Sequence, residues 1–331
     1  MRDARSPMAS FIESFLLAKR LGKKSRSDYA RYLRDFDEFT GRTSLEDALT
    51  VDHAAAFKEK LAGVSIYTAH NGVSYLKSFA KWCAESGHLR NAIGTTVLTG
   101  LETPRPPEEG REPFTDEEVD HILAVLGERT NRDRARALAF AWLLLSCGLR
   151  RNEARCQPLI DVHFAEPRPY VFVRWINAKG KHKSRKARMD PDAAAAIDHY
   201  VQDERPALKG LRPNNDPRQD PLAAEPLFLT EHGYPFTDSG FGKWAGKVKD
   251  ELEKAGVRAV TDWKPHRMRG TWATRYNRAS RFTGTTFMDL KAEGGWSDDR
   301  TPQRYIKQRP WEELREMPTP LEALRANRRT A

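Results

Sequence analysis

Four stretches of the sequence carry side chains whose types and spacing suit work on a phosphate. In "CGLRRNEA", residues 147–154, Arg150 and Glu153 stand three positions apart. On a helix that spacing puts both side chains on one face, where the carboxylate either holds the guanidinium fork for an incoming phosphate or forms an ordinary surface ion pair. In "PHRMR", residues 265–269, Pro265 suits the first turn of a helix, and His266 and Arg269 share a face. A histidine at a helix start also serves as a simple cap. "RWINAKGKHKSRKAR", residues 174–188, holds seven Lys or Arg and no acid. It reads as a solvated turn or as a finger gripping a polyanion backbone, with Lys181, Lys183, Arg185 and Lys186 in the grip. Last, "GGWSDDRTPQRYIKQ", residues 294–308, carries Tyr305 in a short basic segment. A ring packed against a core would explain that tyrosine, so its role depends on its company.

Other patterns carry less. "GFGKWA", residues 240–245, imitates a dinucleotide fingerprint, but Phe241, Trp244, Val248 and Leu252 fall on one helical face and no acidic ribose ligand follows at the required distance. Core packing is the better reading. "GKHKS", residues 180–184, lacks the spacing of a phosphate-binding P-loop, and the 9 histidines form no metal-ligand pattern. A metal-dependent nuclease therefore has little support, while carboxylates such as Asp298 and Asp299 leave that reading open. The three cysteines, Cys83, Cys147 and Cys156, include no CxxC pair and fit reduced, buried thiols inside a cell. Across 331 residues, 56 Lys and Arg against 46 Asp and Glu give a net charge of +10, which favours a polyanionic partner, nucleic acid before an anionic membrane. The longest apolar run, residues 137–149, is shorter than the roughly 20 residues needed to cross a bilayer. The N-terminus lacks a signal-peptide apolar region, so a soluble cytoplasmic protein is expected.

The elements that must position these residues are mostly helical. "ETPRPPEEGREP" holds four prolines and reads as an extended linker over residues 102–112, between a helical domain at 1–101 and a larger domain at 113–310. In the first domain, Tyr29, Leu33, Phe36 and Phe39 share one helical face, and Val73, Leu76, Ala80 and Cys83 share another. In the second, "TDEE" at 115–118 is a capping box, and the apolar run 137–147 is a buried helix stopped by Gly148. "YVFVRWI", residues 170–176, reads as a strand whose hairpin partner begins near Arg188. Helices resume at "DAAAAIDHYVQDE", "FGKWAGKVKDELEKAG" and "PHRMRGTWATRYNRAS". The fold class is thus mainly α with a small β-hairpin or sheet in the second domain, an α+β arrangement.

Taken in order from about residue 10 to 308, these pieces resemble the tyrosine recombinase, or phage integrase, family: a helical domain, a linker, "PFTDEE", "GLRRNE", a basic hairpin, "PHRMRGTWAT" and "GGWSDDRTPQRY". The nine-residue step from Trp296 to Tyr305 matches the family pattern, and Thr301-Pro302 starts the short helix that would carry the tyrosine. The resemblance implies a two-domain C-shaped clamp with a helical, SAM-like core-DNA-binding domain and a catalytic domain. It implies Tyr305 as nucleophile, forming a 3′-phosphotyrosine that stores the phosphodiester for religation without ATP, cofactor or metal. Arg150 and Arg269 would stabilise the charge on the nonbridging oxygens, with Glu153 orienting the first. Lys179 would protonate the leaving 5′ oxygen, Lys181 being the alternative, and His266 would bond the phosphate or assist deprotonation of Tyr305. Trp296 stands where histidine is commoner in the family; its indole N–H would donate to phosphate while its ring buttresses the site. "EARCQPLIDVHF" lacks the usual leucine-tryptophan pattern after the acidic residue, which leaves that helix boundary open.

A simple-site recombinase of Xer or Cre type is the resulting reading, since the chain starts almost directly with the core-binding helices. Its expected partners are double-stranded DNA bearing a specific site and copies of itself: monomer in solution, dimer per site, tetramer at synapsis, with the tail at 311–331 docking in trans. No membrane partner is expected. The alternatives are a type IB topoisomerase sharing the same nucleophile and arginines, a catalytically silent DNA-binding relative, and a nonenzymatic membrane-surface protein.

Overall fold

The structure, a computed structural model, describes residues 6–41, 43–89, 100–106, 112–128, 133–165, 168–174, 184–211, 224–257 and 265–303. The chain divides into two compact units, 1–109 and 110–331. Among the described residues no helix is long and apolar enough to cross a membrane.

The first unit is a helical bundle of α1 (Pro7–Ala18), α2 (Lys23–Phe39), the short α3 (Leu45–Ala48), α4 (Val51–Ala62) and α5 (Ile66–Glu85). Hydroxyl side chains open most of these helices: Ser6, Ser44, Thr50 and Ser65 each accept from a backbone N–H of the first turn, which satisfies a donor that the helix leaves unpaired. The two apolar faces expected from periodicity meet here. Leu33 and Phe36 of α2 and Val73, Leu76, Ala80 and Cys83 of α5 are buried in one core with Phe15, Phe57 and Phe79, and Tyr29 and Phe39 pack against its margin.

The second unit begins with a capped helix. Its "TDEE" opening forms the expected box: the Thr115 N–H donates to Glu118 (2.9 Å) and the Glu118 N–H donates back to the Thr115 hydroxyl (3.2 Å). Helix α6 (Asp116–Glu128) follows, then α7 (Arg134–Cys147), which is apolar around its whole circumference and therefore lies inside, against α6 and later helices. Gly148 stops α7 in the left-handed region (φ 58°), and a Cβ there would meet the Trp272 indole at 2.2 Å, so glycine is required twice over. The five-residue α8 (Arg151–Arg155) starts at once.

A three-stranded antiparallel sheet follows, β1 (Val162–His163), β2 (Tyr170–Val173) and β3 (Arg185–Arg188), in that spatial order. Here the sequence reading needs correcting. The partner strand does not begin near Arg188 but ends there, pairing Val171 with Ala187 and Val173 with Arg185. "RKAR" has little intrinsic preference for a strand; the buried ladder of β2 imposes it. β1 was not anticipated, because two residues carry no periodicity. Trp175 and Ile176 of the expected strand lie outside the described residues.

Beyond the sheet run α9 (Pro191–His199), a widened π turn (Tyr200–Glu204) and α10 (Arg205–Gly210). Sequence periodicity suggested one uniform helix through Glu204. Pro206 has no N–H for the carbonyl four residues back and its ring crowds that carbonyl, and the wide turn accommodates both. Then come α11 (Asp238–Lys254), whose Phe241, Val248 and Leu252 are buried beside half-buried Trp244, and α12 (Pro265–Thr283), α13 (Phe287–Gly294) and α14 (Arg300–Gln303). The "PFT" segment is pinned to α12 by the Phe114 N–H donating to the Thr271 hydroxyl (2.9 Å). Cys83 and Cys147 are buried and Cys156 is half-buried, all as free thiols.

Candidate active site

The abrupt end of α7 delivers Arg150 to the first position of a new turn. Its backbone N–H donates to Glu153 Oε2 (2.8 Å) and its Nη1 to Oε1 (2.8 Å), so one carboxylate fixes both the backbone and the fork of this arginine. Nη2 donates to the carbonyl of Gly295 (3.1 Å). Among the described residues these bonds use two of the five guanidinium N–H groups, and the side chain keeps 21% of its surface open to solvent.

Glu153 is fully buried, and an ion there needs more than one partner. The second comes from β3: Arg185 grips the carboxylate with both terminal nitrogens (Nη2 to Oε2, 2.7 Å; Nη1 to Oε1, 3.2 Å). Burial pushes the Glu153 carboxyl up, but hydrogen bonds and charge from Arg185, and then from Arg150, outweigh it and hold the group at about 2. The Arg185 Nε donates to the carbonyl of Glu293 (2.6 Å), which ties the strand to the end of α13. The Glu293 carboxylate in turn accepts from Arg188 Nε (2.7 Å) and from the Tyr276 hydroxyl (3.0 Å), and Arg188 Nη2 donates to that hydroxyl (2.7 Å).

Arg269, from the first turns of α12, is only 1% exposed. Its Nη1 donates to the carbonyl of Gly148 and its Nη2 to that of Gly294 (2.5 Å), so it staples the end of α7 to the end of α13. The consecutive carbonyls of Gly294 and Gly295 thus accept from Arg269 and Arg150 respectively, which makes the two guanidinium groups neighbours at this turn. Trp296 closes over Arg269. Its ring lies 4.1 Å from the Arg269 guanidinium and 6.0 Å, stacked, from Trp272. A Cβ on Gly294 would sit 2.1 Å from the Trp296 ring, so only glycine lets the indole lie this close. His266 stands exposed one turn before Arg269.

The structure therefore brings together Arg150, Glu153, Arg269 and Trp296, with His266 at the rim. Lys179, Lys181, Lys183 and Tyr305 lie outside the described residues, as does the tail at 311–331. The described chain reaches Gln303 in α14, where Asp298 caps the helix through the Thr301 N–H (2.9 Å) and Asp299 pairs with Lys291 (2.6 Å). Arg185 departs from its expected role at the surface: its side chain is 7% exposed and its fork is committed to Glu153. The alternation Arg185, Ala187, Met189 signals this, since Ala187 and Met189 are buried and residues two apart in a strand share a face. Lys186, on the opposite face, is exposed, with its ammonium 4.4 Å from the Tyr170 ring. Glu293, Arg188 and Tyr276 carry no sequence signal that marks them as one network. The Tyr276 phenol is pushed up to about 12 by burial and by the Glu293 carboxylate it bonds, which makes it a poor nucleophile.

Residues 112–311 match the family model described as "Phage integrase family". Tyrosine recombinase XerC 2 of Ralstonia nicotianae is 30% identical over 200 residues, covering 59% of this chain and 50% of that protein. Tyrosine recombinase XerD of Lacticaseibacillus casei is 26% identical over 203 residues, covering 61% of this chain and 60% of that one. The chain thus spans between half and three fifths of the length of these curated relatives. The solved structure of the Tn1549 transposon integrase in complex with a circular intermediate DNA shares the fold, with a TM-score of 0.74 at 16% identity over 94% of this chain and 98% of that one. With a family match over residues 112–311, more than half of the chain, the protein belongs to the phage integrase family.

Proposed function

We propose that this protein is a site-specific DNA recombinase that cuts and rejoins DNA through a 3′-phosphotyrosine on Tyr305, without metal or ATP. The observation that carries the reading is the convergence of Arg150 and Arg269 on the adjacent carbonyls of Gly294 and Gly295, at the turn leading to Trp296 and, nine residues on, Tyr305. Two cations held at one turn are what a phosphodiester under attack needs, because negative charge grows on its nonbridging oxygens.

In the proposed reaction the Tyr305 oxygen attacks phosphorus and loses its proton to His266 or solvent. The bond from phosphorus to the 5′ oxygen breaks, and that oxygen takes a proton from Lys179. The 5′ hydroxyl of a partner strand then attacks the phosphotyrosine, and the tyrosine leaves reprotonated. One phosphodiester is exchanged for another, so no external energy source is needed. Arg150, with N–H groups still unused among the described residues, donates to the phosphate. Arg269 supplies charge from beneath Trp296, where a low dielectric makes it effective. Exposed Lys186 and the lysines of 179–183 grip the duplex backbone.

A plasmid carrying two copies of the bound sequence, selected first from random duplexes, tests the reading. Excision or inversion of the intervening DNA is expected in buffer containing a chelator and no nucleotide. Relaxation of supercoils without exchange would replace recombination by topoisomerase chemistry, and binding without either would leave a DNA-binding relative.

A further inference from the structure

We propose that Arg185 is a positioning residue for the reaction: by clamping Glu153 from strand β3, it makes the aim of Arg150 depend on the hairpin being paired. The inference rests on the recombinase reading above and extends it to a residue that sequence alone assigns to the DNA backbone.

The geometry is a chain of three links. Arg150 is aimed by Glu153, through its backbone and its fork. Glu153 has no solvent to steady it and is held by both terminal nitrogens of Arg185. Arg185 is held in turn by the Glu293 carbonyl and by its place opposite Val173 at the end of the sheet ladder. A Cβ on Gly295 would lie 2.8 Å from Arg185 Nη1, so the turn that receives Arg150 is also shaped around Arg185. Ten residues separate Val173 from Ser184, and the segment between them, 174–183, contains Lys179. The strand ends that anchor the general acid therefore also anchor the clamp on Glu153.

The surroundings of Glu153 define a second readout. Among the described residues, the charged groups bonded to its carboxylate are Arg150 from its own turn and Arg185 from β3. The Glu293 carboxylate of α13 is engaged instead by Arg188 and Tyr276. With Arg185 gone, Arg150 is the one described cation left to offset the burial of Glu153, so its carboxyl rises and the site gains a sensitivity to acid that the native protein lacks.

The test uses the full-length protein and a nicked suicide duplex bearing its selected site. For Arg185→Met the rate of covalent adduct formation on saturated complex should fall about 100-fold, the scale of a misaimed catalytic group. Duplex affinity and its salt dependence should stay native, the loss should deepen as pH is lowered from 8 to 5, and Arg185→Lys should recover part of the rate. A backbone ligand would behave differently: weaker binding, a salt slope shallower by about 1, and a native rate at saturation. That result overturns the proposal, as does an Arg185→Met loss that is the same at every pH. If Arg185→Met does not fold, the double variant Glu153→Gln/Arg185→Met, with no carboxylate left unopposed, should match Glu153→Gln alone; a further loss refutes the linkage. Absence of adduct with the native protein is a separate failure, of the recombinase reading itself, and takes the proposal with it.

Discussion

Replacing Glu153 by Gln removes one charge and almost no volume from the centre of the site, and its cost follows from the geometry. Arg185 is 7% exposed and Arg150 21%, so neither guanidinium can exchange the lost carboxylate for bulk water. Breaking a buried pair from one side costs about 3–5 kcal/mol, with the lower end applying because the Gln oxygen still accepts hydrogen bonds. Proton linkage gives a second route to the number. The carboxyl stands at 4.5 when unperturbed and at about 2 in the fold, a shift that corresponds to about 3 kcal/mol. A depressed carboxylate stabilises fully above its unfolded value and loses that stabilisation as pH falls through the folded one. The difference in urea stability between the native protein and Glu153→Gln should therefore be about 3 kcal/mol at neutral pH. It should begin to shrink below about pH 4.5, with more than half gone by about pH 3. Comparing the two proteins at each pH isolates Glu153 from every other carboxylate. Equal stability at pH 7, or a gap that does not narrow in acid, would refute the idea of a buried ion held by Arg185 and Arg150.

Gly294→Ala should destabilise by about 1–3 kcal/mol and abolish most adduct formation, because its Cβ would sit 2.1 Å from the Trp296 ring that covers Arg269; tryptophan fluorescence and urea unfolding report the displacement. Tyr276→Phe should cost about 1 kcal/mol through its lost bonds to Glu293 and Arg188 yet leave adduct formation intact, and a missing adduct would show that this phenol takes part in the chemistry. Lys179→Ala should slow cleavage of a normal phosphodiester far more than one with a 5′-bridging sulfur, whose leaving group needs no proton, and the same comparison on Lys181→Ala decides which lysine is the acid.

Much of the fold was legible because helix faces declare themselves by period. The faces built from Leu33 and Phe36, from Val73, Leu76 and Ala80, and from Phe241, Val248 and Leu252 all lie in cores, and Gly148 stops α7 as its place after an apolar run implied. The sheet was half legible. Strand β2 has the β-branched and aromatic residues of a strand, whereas β3 is spelled "RKAR" and takes its conformation from its neighbour. The same basic spelling hid Arg185, whose charge suggested the surface while its register with Ala187 and Met189 placed it inside. Local spacing named Arg150 with Glu153 and His266 with Arg269, since each pair sits within one helical turn, whereas Trp296 was named only through the family resemblance. The Glu293, Arg188 and Tyr276 network joins residues as many as 105 positions apart, a separation over which no local spacing rule operates. Arg269 was expected to face the phosphate, but its terminal nitrogens serve the Gly148 and Gly294 carbonyls, an orientation that only tertiary packing determines.

The central claim is that Tyr305 carries the covalent bond. Incubating native protein and Tyr305→Phe with a nicked duplex bearing the selected site and labelled at the 5′ end of the cleaved strand, then separating them on a denaturing gel, measures this directly. The native protein should give a labelled protein-DNA band that protease digestion collapses to a peptide containing Tyr305. The variant should bind the duplex with native affinity and give no band, since it keeps the ring and loses only the attacking oxygen. A band of native intensity from Tyr305→Phe would contradict the account and place the nucleophile elsewhere.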